Sequence, residues 1–134
     1  MKILVIGGAG AMGMVTARDL AESPEVSEII IADANVEKAK QIQNWIGSKK
    51  ISITKLDVSD RESLVNAMRK ADAVANAAPY HLNMIITKAA IEAKRSLTDL
   101  GGVYHMTLKQ LDLDNEAKKA GVSIVLGCGV APGI

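Results

Sequence analysis

The chain has no phenylalanine, one tryptophan and two tyrosines in 134 residues. Aromatic platforms on which unpaired bases could stack are therefore lacking, and the core must be built from Ile, Leu, Val, Ala and Met. A single cysteine, Cys128, excludes an internal disulfide. Neither sign of charge dominates, since 16 basic residues against 15 acidic ones leave a net +1; no bulk pull toward nucleic acid or a membrane surface is expected. No run reaches the roughly 18 apolar residues of a membrane span. No charged leader precedes the first strand pattern, so the expected location is cytoplasmic. His81 and His105 have no spaced cysteine, histidine or acid to complete a metal set.

What is present is concentrated in the first 33 residues. An apolar run, Lys2-Ile3-Leu4-Val5-Ile6, leads into Gly7-Gly8-Ala9-Gly10-Ala11-Met12-Gly13, then a helical pattern, then a second apolar run, Ile29-Ile30-Ile31-Ala32, ending on Asp33. Near-continuous apolar runs belong to parallel strands covered on both faces. Gly8, Gly10 and Gly13 occupy the G-x-G-x-x-G positions, where successive glycines let the chain turn, let backbone approach a pyrophosphate, and let the helix pack on the strand. The helix starting at Ala11 and Met12 directs unpaired amides and its positive dipole end at that phosphate. Asp33 stands about 20 residues beyond Gly13, where a carboxylate accepts from the adenosine ribose diol. With Ala34 and Asn35 after it, and Lys38 as the next cation, it favours NAD over NADP, whose 2′-phosphate would be repelled by the acid and would want an arginine.

Further along, Ala11 to Glu22 reads as a helix with Val15 and Leu20 toward the core, stopped by Ser23-Pro24. Asn35 caps a helix that Gly47 ends. Ile51 to Leu56 is a third strand. Ser59-Asp60-Arg61-Glu62 reads as a capping box before a helix through Met68. Ala71 to Ala75 is a fourth strand, followed by Asn76-Ala77-Ala78-Pro79-Tyr80, then a helix from His81 to Ala93. Ser96 to Leu100 is a fifth strand, Leu108 to Ala120 a helix capped by Gly121, and Val122 to Leu126 a sixth strand. Six strands alternating with five helices predict a doubly wound parallel α/β sheet, a Rossmann fold of order 3-2-1-4-5-6 with helices on both faces.

Several pieces together resemble the saccharopine dehydrogenase family, including its lysine 6-dehydrogenase-like members. They are Ile6-Gly7-Gly8-Ala9-Gly10-Ala11-Met12-Gly13, Leu56-Asp57-Val58, Asn76-Ala77-Ala78-Pro79-Tyr80, Asp99-Leu100-Gly101-Gly102 and Gly127-Cys128-Gly129-Val130-Ala131-Pro132-Gly133. The resemblance implies residues 1–126 as a dinucleotide-binding domain, with 127–134 starting a connection to a second domain that binds an amino-acid substrate and makes a homodimer. It implies hydride transfer between a nicotinamide and the C–N bond of an amino acid. It places the glycine loop at the pyrophosphate, Asp33 at the ribose, Asp57 and Val58 at the adenine, and Asn76, Ala77, Ala78 and Pro79 beside the ribose and nicotinamide. Tyr80 and Asp99 fall at cleft positions near the substrate in some members.

Alternatives stay open at several of these positions. Asp57 suits either the adenine amino group or a turn before a helix. Asp99 suits either a substrate-facing acid or a strand-end acid bonded to the glycine turn after it. Tyr80 suits a hydroxyl donor or a ring covering the sheet, and Cys128 is expected as a small buried hydrophobe. The same fold also serves as a free-standing nucleotide-sensing module without catalysis. The Pro79-Tyr80 turn and the open glycine-rich tail favour the enzyme.

Overall fold

A computed structural model describes residues 1–129. The strands are β1 (Lys2–Ile6), β2 (Glu28–Asp33), β3 (Ile51–Lys55), β4 (Ala73–Asn76), β5 (Ser96–Asp99) and β6 (Ile124–Val125). They form one sheet in the order β3-β2-β1-β4-β5-β6, with every pair parallel. The helices are α1 (Ala11–Glu22), α2 (Val36–Ile46), α3 (Arg61–Arg69), α4 (Asn83–Ala93), α5 (Tyr104–Leu111) and α6 (Asp114–Ala120), with one 3-10 turn at Tyr80–Leu82.

Side chains alternate across a strand, and here that alternation divides the core in two. Leu4, Ile6, Ile30 and Ala32 pack with α3 and α4 on one face, through Leu64, Met68, Ile86 and Ala90. Ile3, Val5, Ile29 and Ile31 pack with α1 and α2 on the other, through Ala17, Ala39 and Ile42. Burial on both faces is why β1 and β2 read as unbroken apolar runs rather than alternating ones. The register sets Ile6 between Ala32 and Asn76, and Asn76 beside Asp99, so the carboxyl ends of four strands line one rim.

Several expectations are corrected. Val15 is 55% exposed, because α1 lies on the sheet through its small residues Gly13 and Ala17, and a side chain between them points outward. The predicted helix Leu108 to Ala120 is two helices, α5 and α6, broken after Leu111. Asp112 and Asp114 lie at that break; acids disfavour the negative end of α5, whereas Asp114 and Glu116 suit the positive end of α6. The serine of the expected capping box does not cap: Asp60 is the N-cap of α3 and accepts from the Ser63 amide. Cys128 is exposed rather than buried. The tail motif from Val130 onward, expected to begin a connection, lies outside the described residues.

Candidate nucleotide site

The loop leaving β1 is shaped by backbone. Gly7, with φ +73°, is the left-handed residue that turns the chain, one position before the glycine to which the motif assigns that task. Its amide donates to the Ala32 carbonyl at 2.9 Å, and its own carbonyl accepts from Gly10 N–H at 2.9 Å. A Cβ on Gly13 would stand 2.1 Å from the Gly7 carbonyl oxygen, so only glycine lets the first turn of α1 close on the loop. Gly10 caps α1 without any side-chain bond. The amides of Ala11, Met12 and Gly13 at that helix start have no intrahelical acceptors, which suits an anion.

Asp33 ends β2 with both oxygens engaged from below. Its Oδ2 accepts from Ala9 N–H at 3.1 Å, and its Oδ1 from Asn35 N–H at 2.9 Å. The acid thus fixes the glycine loop against the β2–α2 turn, and a carboxylate offers about four acceptor sites, leaving capacity for a ribose diol. Asp57, after β3, accepts from the hydroxyl and the amide of Ser59 at 2.6 and 2.9 Å. Those two bonds, the hydroxyl first, hold its carboxyl below the ordinary aspartate range. The carboxylate therefore stays ionised at neutral pH as an acceptor.

These pieces converge. Asp33, Ala34, Asp57, Val58, Ala78 and Pro79 surround one hollow of about 210 Å³, with Gly7 and Ala32 also lining it. That is smaller than the roughly 300 Å³ lower bound for drug-sized pockets, and suits one half of a dinucleotide. Leu82 and Leu56 also line it, and neither was expected from the sequence.

The other expected residues lie elsewhere. Asn76 is buried, donating through Nδ2 to Asn83 Oδ1 at 2.9 Å and accepting from Ala78 N–H at 3.0 Å. Its side chain holds the Asn76–Pro79 turn from behind. A Cβ on Gly7 would meet the Ala78 nitrogen at 2.9 Å, so that turn presses directly on the glycine loop. Tyr80 is 49% exposed and its Cβ lies against Gly102. Asp99 is 1% exposed; its Oδ1 accepts from Gly101 and Gly127 amides and its Oδ2 from Gln110 Nε2. Of its two readings, the structure has the strand-end acid bonded to the glycine turn, not a group presented to the cleft. Among the described residues no group of three or more His, Cys, Asp or Glu could hold a metal ion. None of their helices is long and apolar enough to cross a membrane.

The individual roles of Gly7, Ala9 and Gln110 were not readable from the sequence. Gly7 had a signal, the Gly-Gly pair at the strand end. Gln110 had none, because its partners are remote in the chain.

Comparison with known proteins shows the family. A family model described as the saccharopine dehydrogenase NADP binding domain matches residues 3–125. The chain belongs to that family. Its relatives include carboxynorspermidine synthase of Vibrio cholerae, 31% identical over all of this chain and 37% of the relative. Carboxyaminopropylagmatine dehydrogenase of Synechocystis is 29% identical over 99% of this chain and 35% of the relative. The chain thus spans little more than a third of the length of these two relatives. The apo structure of the L-Glu-forming saccharopine dehydrogenase of Saccharomyces cerevisiae superposes with a TM-score of 0.84 at 24% identity, over 99% of this chain and 28% of the yeast one, which shows the fold. A nicotinamide dinucleotide is the cofactor class of this saccharopine dehydrogenase-type domain.

Proposed function

We propose that this domain binds NAD for an oxidoreductase acting on the C–N bond of an amino acid. The observation that carries it is the Asp33 carboxylate, held by Ala9 and Asn35 amides at the mouth of a hollow that the Asp57–Val58 segment closes. The cradle that a Cβ on Gly13 would fill fits a pyrophosphate. Gly8, Gly10 and the Ala11–Gly13 amides hold the diphosphate, Asp33 the ribose, and Asp57 and Val58 the adenine. The Asn76–Pro79 turn borders the nicotinamide end, and Tyr80 offers a hydroxyl to the substrate side. Asp99 works by holding backbone. The nicotinamide supplies hydride transfer; the protein supplies position and exclusion of water.

The relatives' names support an amino-acid or amino-acid-derived substrate: saccharopine, carboxynorspermidine and carboxyaminopropylagmatine. In those longer proteins the remaining length can supply a substrate and dimerisation domain, to which we assign residues 127–134 as the lead. On the cofactor, the family description and the yeast relative's name point to NADP. Against this, Asp33 places a negative charge at the ribose edge. The cations flanking it, Lys38 in the first turn of α2 and Lys55 opposite on β3, lack the planar fork that suits a phosphate. NAD is therefore the preferred cofactor of this chain.

Calorimetric titration with NAD+ and NADP+ tests this. Tighter NAD+ binding is expected, weakened by more than about 1 kcal/mol in Asp33→Ala, the scale of a charge-assisted hydrogen bond. Tighter NADP+ binding would remove the NAD assignment; no binding of either by a folded chain would remove the cofactor site.

A further inference from the structure

We infer that Gln110 is a positioning residue for the nicotinamide end of the cofactor site, acting through Asp99; this rests on the dinucleotide-site proposal above. In a doubly wound sheet the ligand lies across the point where strand order reverses, here between β1 and β4. The hollow bounded by Asp33 and Asp57 takes the adenosine half. The other half extends over the ends of β4 and β5, and the loop after β5 is fastened to the loop after β6.

Asp99 is the fastening. Its Oδ1 accepts from Gly101 N–H at 2.8 Å and Gly127 N–H at 3.0 Å, and its carbonyl accepts from Cys128 N–H at 2.7 Å. One buried residue thus ties the loop after β5 to the loop after β6. Where these loops meet, a Cβ on Gly101 would lie 2.8 Å from the Gly127 Cα. The loop after β5 also bears on Tyr80, which a Cβ on Gly102 would meet at 3.1 Å. A shift of Asp99 therefore moves the wall beside Tyr80.

Gln110 determines where Asp99 sits. It is 4% exposed on α5, and its Nε2 donates to Asp99 Oδ2 at 2.8 Å and to Thr87 Oγ1 of α4 at 2.9 Å. Its Oε1 is buried without a hydrogen-bond partner among the described residues. Turning the amide over would set an acceptor against a carboxylate oxygen, so the charge of Asp99 fixes its orientation. A buried acceptor without a donor costs stability, and here that cost accompanies two donated bonds. What the amide secures in exchange is the carboxylate that holds two loops.

The test is titration of the full chain with NAD+ and with ADP-ribose, which lacks the nicotinamide. Gln110→Met is expected to weaken NAD+ about fivefold, as for one lost hydrogen bond, and ADP-ribose by less than about twofold. Should Gln110→Met lack a cooperative thermal transition, Thr87→Val, which removes only the far contact of Gln110, is expected to show the same split at about threefold. Equal losses for both ligands, or none for either, overturn the inference. Wild-type chain that binds neither ligand overturns the cofactor proposal, and this inference with it.

Discussion

At the scale of single residues, the glycine loop shows how much one atom decides. A Cβ on Gly13 would collide with a backbone oxygen at 2.1 Å and with the Gly8 Cα at 2.7 Å, and neither can rotate aside. A Cβ on Gly8 meets the Cγ2 methyl of the buried Ile31 side chain at 2.8 Å, which can shift only at the expense of packing. Gly13→Ala should therefore be the costlier change. We expect it to destabilise by about 3 kcal/mol or more, in the range of forced overpacking against backbone, and Gly8→Ala by about 1–2 kcal/mol. Urea titrations of both variants check this, and a reversed order would sink the assignment of Gly13 to the loop–helix contact. Residue-scale legibility was uneven. The spacing from Gly13 to Asp33 was readable because the motif is local in sequence. The Asp99–Gln110–Thr87 set was not, because its members come from a strand and two helices and no periodicity links them. The turn was misplaced by one residue because Gly7 and Gly8 are equivalent as letters, and only the backbone shows which has positive φ.

At the scale of elements, strand order was legible because β1 and β2 alternate burial between two helix layers and the crossovers allow one hand. The interruption between α5 and α6 was not, since the helical spacing of apolar residues continues through Leu113 and only the acids signal the break. The cap of α3 was displaced by one residue for a related reason. Serine and aspartate both cap, and the chain uses the stronger acceptor, Asp60, while Ser59 serves Asp57. The Ser63 hydroxyl and then the Ser63 amide hold the Asp60 carboxyl below its ordinary range. A depressed carboxyl stabilises the fold fully above its unfolded value, and the contribution fades as pH falls through that value toward the folded one. Asparagine caps without titrating. Wild type should thus unfold at a higher temperature than Asp60→Asn near neutrality, with the gap closing as pH falls through and below the ordinary aspartate value of about 3.9. A gap that does not change with pH would show that the ionised form has no special role.

At the scale of the whole molecule, the loops at the carboxyl ends of the strands form a connected rim. Gly7 presses on the Ala77–Ala78 backbone, Gly102 on Tyr80, and Gly101 on Gly127, so each loop is braced by the next. The bracing differs along the rim. On the β5–β6 side the Gly101 and Gly127 amides are already bonded to a buried carboxylate, whereas the helix-start amides of Ala11 to Gly13 lack intrahelical acceptors. A ligand bound as proposed would supply the missing partners on one side and change little on the other. At about 100-fold excess over its dissociation constant it should also add roughly 2.7 kcal/mol of global stability. Hydrogen exchange with and without NAD+ separates the two effects, because globally opening amides slow together while locally opening ones slow according to what covers them. The Ala11–Gly13 amides should slow well beyond the global gain. Those of Gly101 and Gly127, protected from the outset, should slow only in step with it. Extra protection confined to the β5–β6 loops, with none at Ala11–Gly13, would place the ligand away from the glycine loop and require a different site.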